Sequence, residues 1–263
     1  MKISKNNKTI IINNSQSQYL SDIQKYFDEY FDAIDTVSNV LDFSMPKQFL
    51  LKEWGWNVWL PSFTESIKEL QKYTKYLDIK EGDVVIDAGG YAGITSMIFA
   101  NIVGKSGKVI TVEPDPINIQ CIKNNFDNYK KINGYSPILI EGAIWDFDGK
   151  ISFSSESAMG SAATEYVGRR GNIVTIDCFK LSTIANNYKK IDHIKMDIES
   201  AELKAINDID FFNKYHPSII MECHIPNTYK NIIKPKLENY GYIVEQIMQN
   251  ESPFEMLVAK HDG

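Results

Sequence analysis

The sequence predicts an α/β protein: a doubly wound, seven-stranded, mostly parallel sheet preceded by an N-terminal helical extension. Two observations carry that expectation. Five short runs rich in β-branched residues each end on a carboxylate, at Asp87, Glu113, Glu141, Asp197 and Glu222. Helical patterns separate these runs, and apolar runs spaced in this way read as buried strands of a parallel sheet. In such a sheet ligands bind outside the carboxyl ends of the strands. The five acids are therefore expected on one rim, where they repel one another unless a cation, a ribose or a set of donors lies among them.

The elements follow in order. Residues 1–80 are read as the extension. Tyr19, Leu20, Ile23, Phe27, Tyr30, Phe31 and Ile34 recur at helical spacing, and a second helical pattern covers residues 64–77. Between them lies an aromatic stretch with Trp54, Trp56 and Trp59, read as core because tryptophans bury most of their area. Residues 81–263 are read as one nucleotide-cofactor domain. After the second run, Asp115 is placed as an N-cap with Pro116 in the first helical turn. After the third, Asp148-Gly149-Lys150 reads as a hairpin-type turn, and residues 151–153 and 173–176 bracket a polar loop containing Gly160, Gly168, Arg169, Arg170 and Gly171. Ser200 is placed as the N-cap of the helix after the fourth run. Pro235 is expected to split a helix over residues 227–240, and two closing strands, 242–248 and 254–259, flank Asn250-Glu251-Ser252-Pro253.

With 263 residues, 43% hydrophobic and 24% charged, the chain is of ordinary globular composition. A net charge of −6 argues against a duplex nucleic-acid partner, which favours a basic face. Cys121, Cys178 and Cys223 show neither a metal spacing nor a disulfide pattern, so they are expected as buried thiols in a cytoplasmic protein. The only N-terminal apolar run, Ile10-Ile11-Ile12, is too short for a membrane span.

Ala88-Gly89-Gly90-Tyr91-Ala92-Gly93 joins a strand to a helix N-terminus, where backbone donors favour a ligand. Glu113 stands where such sites place the carboxylate that binds ribose hydroxyls, followed by Pro114 and Asp115. Glu141-Gly142-Ala143 is placed to bracket an adenine edge. This pattern fits both a nicotinamide dinucleotide and S-adenosylmethionine (SAM). Asp87 favours the latter, because a carboxylate there would repel a pyrophosphate and attract the ammonium and sulfonium of SAM. The cofactor-binding set is thus Asp87, Gly89, Gly90, Tyr91, Gly93, Glu113, Pro114, Asp115, Glu141, Gly142, Ala143 and Asp197. Asp197, Glu199, Glu222 and His224 fall at neighbouring strand ends, with His224 the candidate general base assisted by Asp197 and Glu222. Glu199, Arg169 and Arg170 are placed on the acceptor.

Several of these segments together resemble one family. Ile194-Lys195-Met196-Asp197-Ile198-Glu199-Ser200-Ala201-Glu202 resembles the IKIDVEGAE signature of the FkbM-type SAM-dependent methyltransferases. Residues 85–93 are similar to that family's first motif, residues 112–115 to its ribose motif, and Ile220-Met221-Glu222-Cys223-His224 to its fifth-strand segment. The chain departs at Ser200, where the family has glycine, and at Gly90-Tyr91, where it often has Ala-Asn. The resemblance covers residues 83–260 and implies a class I, Rossmann-like methyltransferase fold. It implies O-methylation of a hydroxyl on a sugar or other small metabolite, and it allows Mg²⁺ held by Asp197 and Glu222. The rivals are an NAD(P)-dependent oxidoreductase on the same fold and a non-catalytic SAM-binding protein. A homo-oligomer is compatible with everything above.

Overall fold

A computed structural model of the chain describes residues 1–36, 38–64, 70–156, 160–168, 171–247 and 254–263. The runs read from the sequence form β6 (Val84–Ala88), β7 (Lys108–Glu113), β8 (Ile138–Glu141), β13 (His193–Met196) and β14 (Ser218–Cys223), joined by β15 (Tyr242–Ile247) and β16 (Glu255–His261). Their order in the sheet is β15-β16-β14-β13-β6-β7-β8. β16 is antiparallel to both its neighbours, and the other pairs are parallel. Strand order reverses between β6 and β13, so the crevice of a doubly wound sheet lies at their carboxyl ends. Val85 packs with the core on one face and Ile86 with the core on the other, as the two-residue period of a strand requires.

The helices follow from local chemistry. Asp115 caps helix Pro116–Asn133, its Oδ1 accepting from the Ile117 N–H at 2.9 Å, with Pro116 at the first position. Gly93, at φ 76°, precedes helix Ile94–Val103. Near Pro235 the chain changes from a π-helical turn, Tyr229–Ile233, to helix Lys234–Asn239. Ser200 is not a cap: it sits at φ 82°, and helix Glu202–Ala205 begins after Ala201. After β8 the chain inserts a small sheet, ordered β11-β10-β12-β9, from β9 (Ala143–Ile144), β10 (Gly149–Ser155), β11 (Ala162–Ala163) and β12 (Asn172–Phe179).

The first 80 residues are mixed rather than helical. They contain a three-stranded sheet of β1 (Lys2–Lys5), β2 (Lys8–Ile11) and β3 (Val40–Asp42), and a hairpin of β4 (Lys47–Leu51) and β5 (Trp56–Leu60). The expected first helix is present as two short ones, Leu20–Lys25 and Phe27–Ala33. Of the second, Lys72–Tyr76 is helical, while residues 65–69 lie outside the described residues. In β5, Trp56, Val58 and Leu60 are buried and Asn57 is exposed, a strand period within the aromatic stretch. Trp54 stacks on Trp56 at 4.9 Å, and Trp56 meets Tyr129 edge-on at 5.7 Å, so this cluster is packing.

This segment is not appended loosely. Ile10, Phe27, Phe43 and Val58 share one apolar cluster with Val85, Met97, Phe99 and Tyr129. Asn125, 1% exposed, bonds the Trp59 N–H and C=O at 2.6 and 2.8 Å and the Ala92 C=O at 2.8 Å. Cys121, Cys178 and Cys223 are buried free thiols. Among the described residues no helix is long and apolar enough to cross a membrane.

Candidate active site

A cavity of about 620 Å³ opens at the carboxyl ends of β6, β7, β13 and β14. Of the residues expected to hold the cofactor, Gly89, Gly90, Tyr91, Glu113, Pro114, Gly142, Ala143 and Asp197 line it, together with Glu199, Glu222 and His224. Gly89, at φ 82°, passes so close to β13 that a Cβ there would lie 1.8 Å from the Asp197 carbonyl oxygen. Only glycine permits that approach.

Glu113 is held firmly. Its Oε2 accepts from the Tyr91 N–H at 2.7 Å, and its Oε1 from the Asp115 N–H at 2.9 Å and the Asn118 side chain at 3.2 Å. Oε2 keeps a further lone pair for a ribose hydroxyl. Burial pushes this carboxyl up to about 7, against the lowering effect of its backbone donors. Tyr91 donates its hydroxyl to the Phe63 carbonyl at 2.6 Å and lies 2.9 Å from Ser62 Oγ, which ties the glycine loop to the N-terminal segment.

Several expected contacts are absent from the cavity. Asp87 is fully buried and turned inward: its Oδ2 accepts from Ser96 Oγ, and its Oδ1 lies 3.3 Å from Lys195 Nζ. Asp115 spends Oδ1 on its helix cap and Oδ2 on Ser155 and Ser161, both at 2.8 Å, joining the helix to the insertion. Glu141 faces outward and pairs with Lys123 at 2.7 Å. Gly93 makes the left-handed turn into its helix without lining the cavity. Arg169 and Arg170 lie outside the described residues.

Lys195, Tyr73 and Glu202 were not singled out from the sequence. Lys195 is 3% exposed and donates to the Gly89 carbonyl at 2.7 Å and the Ala88 carbonyl at 3.3 Å, with Asp197 at 3.7 Å. Its register partner is Asp87, so the two side chains share a face. A lysine inside an apolar strand needs a buried partner, and that signal was available. Tyr73 donates to Asp197 Oδ2 at 3.1 Å across 124 residues of sequence, which no local pattern reveals.

His224 is enclosed by acids. Nδ1 lies 2.9 Å from Glu202 Oε1, and Nε2 lies 3.5 Å from Asp197 and 3.9 Å from Glu199. Burial works against its charge, but Glu199, Glu202 and Asp197 outweigh it and hold the imidazole well above its usual range. Burial raises the Glu199 carboxyl to about 8, despite His224 beside it. For Asp197 burial is outweighed by Lys195, His224 and Lys72, so its carboxyl stays low. Among the described residues, Asp197, Glu199 and His224 each bring one ligand atom within 4.8 Å of the others. Glu222, expected with Asp197 as a possible metal ligand, is not in that group.

Residues 87–244 match the Methyltransferase FkbM domain. Ribosomal RNA large subunit methyltransferase E of Methanocaldococcus jannaschii is 30% identical over 131 residues, 41% of this chain and 54% of that protein, so the chain spans about half the length of this relative. Among solved structures, precorrin-6y C5,15-methyltransferase of Geobacter metallireducens aligns at TM-score 0.49 and 13% identity, covering 75% of this chain and 90% of the other. A SAM-dependent O-methyltransferase of Thermotoga maritima aligns at TM-score 0.47 and 15% identity, covering 99% and 85%.

Proposed function

The chain belongs to the FkbM methyltransferase family and is a SAM-dependent methyltransferase, and from that premise we propose that it methylates a hydroxyl of a sugar or other small metabolite, in the cytoplasm. The observation that carries the cofactor side is Glu113, which faces the cavity at the end of β7, fixed by the Tyr91 and Asp115 N–H groups. The cavity lining mixes Asp22, Glu113, Asp197, Glu199 and Glu222 with Lys25, Lys72, Lys195 and His224, so the preference for SAM over a nicotinamide dinucleotide rests on the family match. Glu113 is placed for the ribose, Gly142 and Ala143 for the adenine edge, and Asp197 for the cationic end.

When bound, the cofactor supplies an electrophilic methyl group. The residues of the chain align the acceptor oxygen and take its proton. His224, held charged in the free protein by Glu199, Glu202 and Asp197, has to release that proton before it serves as the general base, and the alternative base beside it is Glu199. Glu222 lines the acceptor side with it. An RNA acceptor, the substrate in the relative's name, fits this chain less well, since a net charge of −6 opposes a polyanion.

A second reading places a divalent cation on Asp197, Glu199 and His224. One observation favours it: Glu202 bonds His224 Nδ1 and leaves Nε2 facing the two carboxylates, as carboxylate partners of metal-bound histidines do. An imidazole among the ligands points to a first-row transition metal rather than Mg²⁺, and Mn²⁺ serves as its paramagnetic probe. Titration with Mn²⁺ followed by electron paramagnetic resonance tests it, and a spectrum of free Mn²⁺ at millimolar metal would exclude it. The main reading is tested by isothermal titration with S-adenosylhomocysteine beside NADH and NADPH. Micromolar binding of the first alone is expected, and binding of a dinucleotide alone would overturn the cofactor assignment.

A further inference from the structure

The methionine end of SAM is a zwitterion. Its ammonium suits Asp197, and its α-carboxylate, enclosed in the same cavity, needs a cation of its own. Among the described residues, Lys25, Lys72, Lys195 and His224 are the cations that line the cavity. Resting on the methyltransferase reading, we propose that Lys72 binds the cofactor's α-carboxylate, so that Lys72 and Asp197 grip the two charges of its amino-acid end. Lys72 lies in the N-terminal segment, ahead of the family match at residues 87–244. That segment then completes the cofactor site rather than only covering it.

Position selects Lys72. The ammonium and the carboxylate of an α-amino acid leave the same carbon, so the cation for one must stand beside the acid for the other. Lys72 meets that condition: with Lys195 and His224 it acts on Asp197 and holds that carboxyl low. Its neighbour Tyr73 donates to Asp197 Oδ2 at 3.1 Å, and Lys72 Nζ lies 5.1 Å from the Tyr73 ring centroid. The other cations are committed elsewhere. Lys195 Nζ lies 5.3 Å from the same ring but is held by the Gly89 and Ala88 carbonyls and the Asp87 carboxylate. His224 is enclosed by Glu202, Asp197 and Glu199. Lys25 ends helix Leu20–Lys25 and lies over the Tyr26 ring at 4.7 Å. Lys72 is half-buried, and its flexible four-carbon stem lets the ammonium exchange its present contacts for a ligand carboxylate.

The test is isothermal titration of the full chain with two ligands that differ only in the carboxylate: S-adenosylhomocysteine and its decarboxylated form, which keeps the adenosine, the sulfur and the ammonium. The wild-type protein should prefer the first by about 10- to 150-fold, the range of one charge-assisted hydrogen bond. Lys72→Met should lose most of that preference: S-adenosylhomocysteine weakens by a similar factor, and the decarboxylated ligand stays within about twofold. Lys72→Arg keeps the charge and should stay within about threefold of the wild type on both ligands. A merely structural role for Lys72 would weaken both ligands alike, and that result would overturn the proposal. So would a wild-type protein indifferent to the carboxylate, or a Lys72→Met variant that keeps the full preference, which would leave the carboxylate to another cation. Lys72→Gln, which retains a polar head, gives the same comparison if Lys72→Met fails to fold. Binding of neither ligand by the wild-type protein would count against the methyltransferase reading instead.

Discussion

Replacing Glu113 by glutamine should weaken S-adenosylhomocysteine binding and remove most of its pH dependence near neutrality. The carboxylate is 4% exposed, and burial raises it to about 7. Only the ionised form accepts from the Tyr91 and Asp115 N–H groups and the Asn118 side chain and still leaves a lone pair on Oε2 for a ribose hydroxyl. With a pKa of about 7, roughly a tenth of the free protein is ionised at pH 6 and roughly nine-tenths at pH 8. Wild-type affinity should therefore rise about tenfold over that interval. Glutamine loses a charge-assisted contact worth ~1.5–3 kcal/mol, a 10- to 150-fold loss at pH 8, and its profile should be nearly flat. Stability moves the opposite way. The folded pKa lies above the unfolded value, so this group's contribution is fully present below about pH 4.5 and is lost as pH rises through about 7. The upper bound is ~3.4 kcal/mol for a carboxyl moved from 4.5 to about 7. Isothermal titration at pH 6, 7 and 8, with urea unfolding of the free protein, measures both. A flat wild-type profile, or the same slope in Glu113→Gln, would refute the reasoning.

Other substitutions probe the remaining network. Lys195→Met strands a fully buried Asp87 and should cost ~3–5 kcal/mol in urea unfolding, with partial recovery in Lys195→Met/Asp87→Asn; equal stability of single and double variants would argue against the pair. Glu202→Gln removes one of the acids that raise His224, so the imidazole should titrate at lower pH by NMR, and an unmoved titration would remove Glu202 from that role. Asn125→Ala breaks three hydrogen bonds between the cofactor loop and β5 and should destabilise by ~2–4 kcal/mol. Limited proteolysis should then cut within residues 50–64 faster than in the wild type, and an unchanged cleavage pattern would contradict the link.

The sheet was legible because its strands are short, continuous apolar runs buried on both faces, and their terminal acids mark the rim. Three of those five acids, Glu113, Asp197 and Glu222, do line the cavity. Asp87 and Glu141 do not, and the reason lies in partners rather than in the residues themselves. Lys195 sits beside Asp87 only because β13 pairs with β6 in that register, and Lys123 reaches Glu141 from a helix packed outside the sheet. Charge type at a strand end is visible in a sequence, but the cation that neutralises it across the fold is not. The N-terminal segment was harder to read because its strands are three to five residues long. Such strands offer too few periods to separate a strand from a helix turn. Tyr73 lies on the helix Lys72–Tyr76, within the expected helical pattern, and what hid its contact was the 124-residue separation from Asp197.

The apolar cluster that contains both Ile10 and Phe99 has a practical meaning for anyone dividing this chain. A fragment starting at residue 81 would keep every motif by which the family is identified, yet helix Pro116–Asn133 would meet water where Trp56 now packs on Tyr129 and Trp59 bonds Asn125. A chimera between relatives would therefore have to carry the N-terminal segment together with the helix that it covers.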